Sequence, residues 1–508
     1  MHIHVLFGAA LLPLLNTAFA ESSSGYEPDE NGKYWIYGEG IAAAFVPYGA
    51  AISDLLINDR YGIQRDVVMG FDNASYYSID QQHPHLGGVP GRYANRIKNS
   101  TFELDGEKYT VAANEHPTAD HPDGLNTLHG GPDGWDWRNF TVVAHTENSI
   151  TFSIVDPDGK EGFPGEVISY ITYTVGEMTW DAKMVAIATT KKTPIMLSSH
   201  TYWNLDGFAN NETNTALNHT FYLPYSGQRV EVDNILIPTG NILSNAKGSV
   251  NDFWSEPKQI GHSFSDPEIH GNCGFNCTGY DNCYLVNRPG PQDWRAPSSL
   301  VASLSSAWSG IKLDIYTDQD AFQMYSCGGQ NGSFALKKTQ GLHGTEDGAE
   351  ALFPRTVPQY GCVVLEVQDW IDGINHPEWG RLGKQVFEPG GDPYVLQNQN
   401  PIPIGRLHFP DYHADPQGGG ESSNTAWMKR VYMYVGDHQR LQGEVKKLPR
   451  AVAVVRKRGV GKSQVEGEGE REREGEKGGE GEGELEVVEI VKWKVVFSAR
   501  PEPVGSEE

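Results

Sequence analysis

Between residues 33 and 395 the chain never sustains a helical period. It repeats short runs that alternate apolar and polar residues and stop at Gly, Asn, Asp or Pro. Period-two alternation puts every second side chain on one face of an extended strand, so such runs bury one face at a time. SITFSIVDPDG (149–159), VISYITYTV (167–175) and GCVVLEVQDW (361–370) are of this kind. In TFELDGEKYTVAA (101–113), Asp-Gly separates two strand-like pieces, the mark of a tight hairpin. The 58 glycines, 30 prolines and 11% aromatic residues suit strands and turns better than helices. These features predict one large all-β domain, an antiparallel β-sandwich.

The two ends of the chain read differently. MHIHVLFGAALLPLLNTAFA (1–20) has an apolar stretch from Val5 to Leu15 and then Ala18-Phe19-Ala20, the pattern of a cleaved secretory signal peptide. Glycosylation sequons begin at Asn73, Asn99, Asn139, Asn211, Asn218, Asn276 and Asn331, which fits an exported, extracellular protein. No later run is long and apolar enough to span a bilayer, and a net charge of −26 repels nucleic acid and anionic membranes alike. Neither is expected as a partner. The five cysteines (273, 277, 283, 327 and 362) predict one or two disulfides with a thiol left over. Zinc is the competing reading of the Cys273–Cys277–Cys283 cluster, but no histidine has convincing spacing. After residue 397 the texture changes. QNPIPIG carries prolines that a central strand would not tolerate, and EGEGEREREGEKGGEGEGE (466–484) is low-complexity. LEVVEIVKWKVVF (485–497) alternates like a strand but stands alone. The expected division is a signal peptide at 1–20, a β-sandwich domain at 21–397 and a disordered tail at 398–508.

Five stretches of the β-rich region concentrate unusual polar residues: GRYANRI (91–97), NTLHGG (126–131), SSHTYWNL (198–205), GYDNCYLV (279–286) and VVLEVQDW (363–370). In this order they resemble the aldose 1-epimerase family, the galactose mutarotases, over roughly residues 35–395. EGFPGEV (161–167) and DAFQMY (320–325) also resemble family segments. The resemblance implies a β-supersandwich. It also implies that His200 is the general acid protonating the sugar ring oxygen and Glu366 the general base on the anomeric hydroxyl. Asn95, Arg96, His129, Tyr202, Asp281 and Gln323 are implied as the shell that binds a monosaccharide such as glucose or galactose.

The chemistry follows independently. Exchange of α and β anomers breaks the C1–O5 bond, so O5 gains a proton as O1 loses one. The open aldehyde then rotates about C1–C2 and closes on its other face. A carboxylate and an imidazole flanking one sugar ring supply this near neutral pH, with no metal or redox cofactor required. The pair is expected across a cleft about one pyranose wide, within a single monomer. A binding protein that holds sugars without turning them over is the alternative from another class. A hexose-6-phosphate epimerase would need a cationic phosphate pocket, which the sequence does not display.

Each residue also has a plainer reading. Strict alternation puts Glu366 opposite Leu365 and Val367, which on local sequence alone points to solvent. His200 and His129 suit structural roles, the latter at a Gly-Gly turn. Arg96 suits a surface ion pair and Asp281 a turn cap. Trp135 and Trp137 are read as core or rim aromatics, with substrate platforms as the alternative. After EPGGDPYVLQ (388–397) the QNPIPIG interruption predicts that the last sandwich strand is either missing, which would expose a sheet edge, or replaced by a tail segment such as VKWKVVF (491–497).

Overall fold

The computed structural model describes residues 27–396 except 81, 84, 289–293, 295 and 342–353, and then 406–408, 429, 431–435, 439–457, 485–497 and 502–503. The expected signal peptide (1–20) and the low-complexity run 466–484 lie outside the described residues. The chain divides into two units, Met1–Pro401 and Ile402–Glu508.

The first unit is built almost wholly of antiparallel strands, as the alternation predicts. One five-stranded sheet runs in the order Tyr394–Leu396, Thr179–Ala188, Val167–Gly176, Ser149–Asp156 and Thr141–His145. Val167–Gly176 alternates strictly between buried and half-buried positions, matching its YITYTV pattern. A six-stranded sheet runs Tyr202–Trp203, Val363–Gln368, Ala321–Tyr325, Asp281–Leu285, Gln228–Val232 and Pro238–Ser244. The Asp-Gly hairpin forms as read. Thr101–Leu104 pairs with Glu107–Thr110, and Asp105 (φ 53°) and Gly106 (φ 81°) take the left-handed backbone of a type I′ turn.

The core lies between sheets. Phe45, Tyr173, Trp180, Trp203, Phe221, Tyr284, Phe322 and Leu365 belong to one buried cluster. Phe45 stacks on Tyr173 at 4.3 Å, and Trp180 lies 5.9 Å from Trp203. Burying such rings supplies the main favourable term, about 25 cal/mol per Å² of apolar surface. In the six-stranded sheet Trp203, Val363, Leu365, Val367, Phe322, Met324 and Tyr284 all face this core. Their sequence neighbours Tyr202, Val364, Glu366, Gln368 and Gln323, and Asp281 at three positions before Tyr284, therefore lie on the opposite face.

The sandwich is closed by its own strand. Tyr394–Leu396 pairs with Met184–Ala186, and the Tyr394 hydroxyl accepts a hydrogen bond from Leu197 N at 3.1 Å. Of the five cysteines, Cys273 bonds to Cys277 and Cys327 to Cys362, leaving Cys283 as the buried free thiol. Disulfide chemistry thus replaces the zinc reading of the 273–283 cluster.

In the second unit, Arg406–His408, Val431–Val435, Gln439–Lys457 and Leu485–Phe497 form an antiparallel sheet, with Glu502–Pro503 paired to Gln439–Arg440. Sequence alone predicts a disordered tail in which the strand-like run 485–497 stands isolated. VKWKVVF pairs within this unit.

Candidate active site

Register assembles the site. Tyr202 pairs with Val364 in antiparallel alignment, so the position of residue 200 falls beside residue 366. On the other side of the same strand, Gln323 pairs with Glu366 and Cys283 pairs with Gln323. Asp281, two residues from Cys283, shares its face. His200, Glu366, Gln323 and Asp281 thus form a row across one sheet, although up to 166 residues separate them in sequence.

His200 is pinned by backbone. Its N–H donates to Gly88 O at 2.9 Å, and Gly87 N–H donates to His200 O at 3.0 Å. Ser198 Oγ donates to Val367 O at 3.0 Å, which fastens the histidine segment to the Glu366 strand. His200 Nε2 stands 3.7 Å from Glu366 Oε1. The expected cleft of one pyranose width is corrected here: acid and base candidates sit side by side. Proximity suits the reaction, because O1 and O5 are both bonded to C1.

The second cluster comes from a short pairing of Arg96–Ile97 with Thr127–Leu128. His129 N–H donates to Asn95 O at 2.9 Å, and Asn95 N–H donates to His129 Nδ1 at 3.0 Å. That bond places the proton of neutral His129 on Nε2. Both residues have left-handed backbone, with φ 58° and 52°. The glycine after His129 is required by close approach: a Cβ on Gly130 (φ +88°) would lie 2.0 Å from Gly91 O. Asn95 Oδ1 accepts from Arg96 N at 3.0 Å, so Asn95 orders both His129 and Arg96. Arg96 forks onto Glu115 through Nε and Nη2 at 2.8–3.1 Å and lies 4.0 Å from Asp281 Oδ2. Gln323 Nε2 donates to Asp281 Oδ1 at 2.6 Å.

All eight residues singled out in the sequence therefore converge. One donor atom from each of His129, His200 and Glu366 lies within 4.8 Å of the other two. The Tyr202 ring is 5.0 Å from His200. Glu366 is 3% exposed, contrary to the solvent-facing reading of its strand. Alternation holds, but the face away from the core is the floor of this site. Trp135 is buried, with Nε1 donating to Asp156, whereas Trp137 stands at the rim, 5.9 Å from His85. Three contributors were not foreseen: Glu115, His85 and Asp136. His85 precedes a Gly-Gly pair in HPHLGG, a near echo of LHGG that could have flagged it.

Burial dominates the electrostatics. Desolvation first, then the Asp281 carboxylate, pushes Glu366 from 4.5 to about 8, with Arg96 opposing. Desolvation holds His200 and His129 well below the ordinary imidazole range. Burial raises Asp281 despite Arg96 and Gln323. Burial acts to lower Arg96, but Glu115 and Asp281 together leave it raised. Near neutral pH the His200–Glu366 pair thus holds one proton. His200 Nδ1, Glu366 Oε2 and Gln323 Oε1 are buried without a hydrogen-bond partner among the described residues. Unpaired buried polar atoms cost about 1–3 kcal/mol each, so their convergence marks a place where a polar ligand belongs.

Comparison with known proteins identifies relatives of this chain. Residues 35–392 match the family model described as aldose 1-epimerase, and residues 357–504 match one described as Ctf8. A probable aldose 1-epimerase of Arthroderma benhamiae is 42% identical over 71% of this chain and 84% of its own length. Human galactose mutarotase is 31% identical over 73% of this chain and 94% of its own. Among solved structures, a GalM/aldose epimerase homologue from C. elegans superposes with a TM-score of 0.57 at 26% identity, covering 72% of this chain and 96% of that one.

Proposed function

The chain belongs to the aldose 1-epimerase family of carbohydrate isomerases, and from that premise we propose that it interconverts the α and β anomers of free aldohexoses such as glucose and galactose. One observation carries this reading: His200 and Glu366 lie 3.7 Å apart, buried, with an orphaned polar atom each. Both can reach atoms on one anomeric carbon.

In the proposed cycle the sugar hydroxyls bond to Glu366 and favour its carboxylate, which moves the shared proton to His200. Glu366 takes the O1 proton as C1–O5 breaks and O5 takes the proton from His200. Rotation about C1–C2 and the reverse transfers close the ring as the other anomer. Each partner contributes roughly 10²–10⁴-fold, in the range of positioned acids and bases. Arg96, its fork fixed on Glu115, offers its free N–H groups to developing negative charge. Asp281 and Gln323 accept and donate to ring hydroxyls, His129 donates Nε2–H, and Tyr202 presents an aromatic face. Asn95 keeps His129 and Arg96 in place. All these residues come from one chain, so a monomer suffices.

We also read the protein as exported. The leader pattern at 1–20, two disulfides and exposed sequon asparagines at 99, 139, 211, 276 and 331 support this.

Polarimetry of freshly dissolved α-D-glucose and α-D-galactose tests the activity. Relaxation should be faster than in buffer for at least one sugar. Rates equal to buffer for a panel of aldoses would refute the proposal.

A further inference from the structure

His85 is a third imidazole in the site, and its surroundings are built around it. His85 Nδ1–H donates to Asp136 Oδ2, the one hydrogen bond that the Asp136 carboxylate makes among the described residues. The Asp136 side chain is fully buried. Glycines close it in: a Cβ on Gly88 would lie 2.9 Å from Asp136 Cβ, and one on Gly49 would lie 2.8 Å from Asp136 O. A fully buried carboxylate with a single hydrogen-bond donor holds that donor in place, so His85 and Asp136 form one fixed pair.

That pair faces the proposed machinery. The His85 ring centroid is 4.4 Å from His129 and 5.5 Å from His200. His85 leads directly into the Gly87–Gly88 backbone that hydrogen-bonds His200 in both directions, so the two histidines cannot move independently. The groups around the cluster are Asp136 on one side of His85, with His129, His200 and the Trp137 edge on the others. Glu366 and Tyr202 lie beyond His200, and Arg96 lies next to His129. We propose that His85, fixed by Asp136, is a positioning residue for proton transfer: its charge keeps the resting His200 neutral, so a proton placed on His200 passes readily to the ring oxygen. Burial first, and His85 after it, act in this direction on both His129 and His200.

The inference rests on the acid role proposed for His200, and its test reads His200 apart from turnover. Histidine imidazole resonances of the full chain are followed by NMR from pH 4 to 9, with His200→Gln assigning the signal. His85→Gln keeps a donor to Asp136 and removes the charge. It should raise the titration midpoint of His200 by about one pH unit, and the acid limb of kcat/KM by the same amount. Asp136→Asn should move the midpoint the same way but less, because the carboxylate's own attraction is lost with the imidazolium. A folded His85→Gln protein with an unmoved His200 midpoint overturns the inference, as does a downward shift in Asp136→Asn. A moving midpoint in a protein that never accelerates anomerisation would overturn the proposed function and with it the proton-transfer role, leaving only the electrostatic coupling of His85 to His200.

Discussion

Replacing Glu366 with Gln should make the protein more stable, and increasingly so as pH rises. The Glu366 carboxyl has an ordinary value of 4.5 and a folded-state value of about 8, raised mainly by burial. A carboxyl raised on folding binds its proton more tightly in the folded chain. Between pH 4.5 and about 8 the unfolded chain has released that proton and the folded chain has kept it, so wild-type stability falls through this window. At ~1.4 kcal/mol per pH unit the full effect is ~5 kcal/mol, reached above pH 8. Glutamine has nearly the same shape, carries no titrating proton and is free of this slope. His200 and His129, both lowered, titrate in wild type and variant alike and largely cancel in the difference. The assay is urea unfolding at fixed pH values from 5 to 9. The Glu366→Gln advantage should be small at pH 5 and should reach about 3–5 kcal/mol near pH 9. A difference that is flat with pH, or that shrinks as pH rises, would refute the electrostatic picture of the site. The same substitution should eliminate turnover, as expected where activity is maintained at a cost in stability.

Four further outcomes follow from the same geometry. The pH profile of kcat/KM should fall above about pH 8 as the pair loses its single proton from Glu366, and fall again only well below 6.5 as it gains a second. Arg96→Lys, which cannot fork onto Glu115, should lower kcat/KM by about 10–100-fold in a steady-state assay while Tm changes little. Cys327→Ser should cost about 3–4 kcal/mol in urea unfolding because that bond closes a 35-residue separation, whereas Cys273→Ser, with a separation of 4, should cost about half as much. Gly130→Ala places a Cβ 2.0 Å from Gly91 O in left-handed backbone, so it should lower Tm and activity together.

Much of this architecture was legible because it is local. The alternation in 167–175 and the Asp-Gly turn at 105–106 are decided by side-chain period and by which residues tolerate positive φ. The candidate residues were legible as motif types, yet their relation was not. What places His200 beside Glu366 is a two-residue pairing, Tyr202–Trp203 against Val363–Val364, set by tertiary register and invisible in either segment alone. Glu366 misleads locally for a related reason. Alternation correctly turns it away from the core, but only the packed structure shows that this side is a buried floor. Glu115, His85 and Asp136 escaped notice because each works through a partner distant in sequence: Arg96 at 19 residues from Glu115, and Asp136 at 51 from His85. The closing strand escaped because its three residues, Tyr394–Leu396, follow two prolines and two glycines that read as a break.

Ring opening is assigned to one acid–base pair, His200 and Glu366. Saturation-transfer NMR on an equilibrated galactose or glucose solution measures α-to-β exchange directly, without depending on binding or on a fresh anomer. Wild type should show exchange above the buffer rate, and folded His200→Ala and Glu366→Gln should each return it to buffer. Exchange that persists in either variant at the wild-type rate would contradict the account.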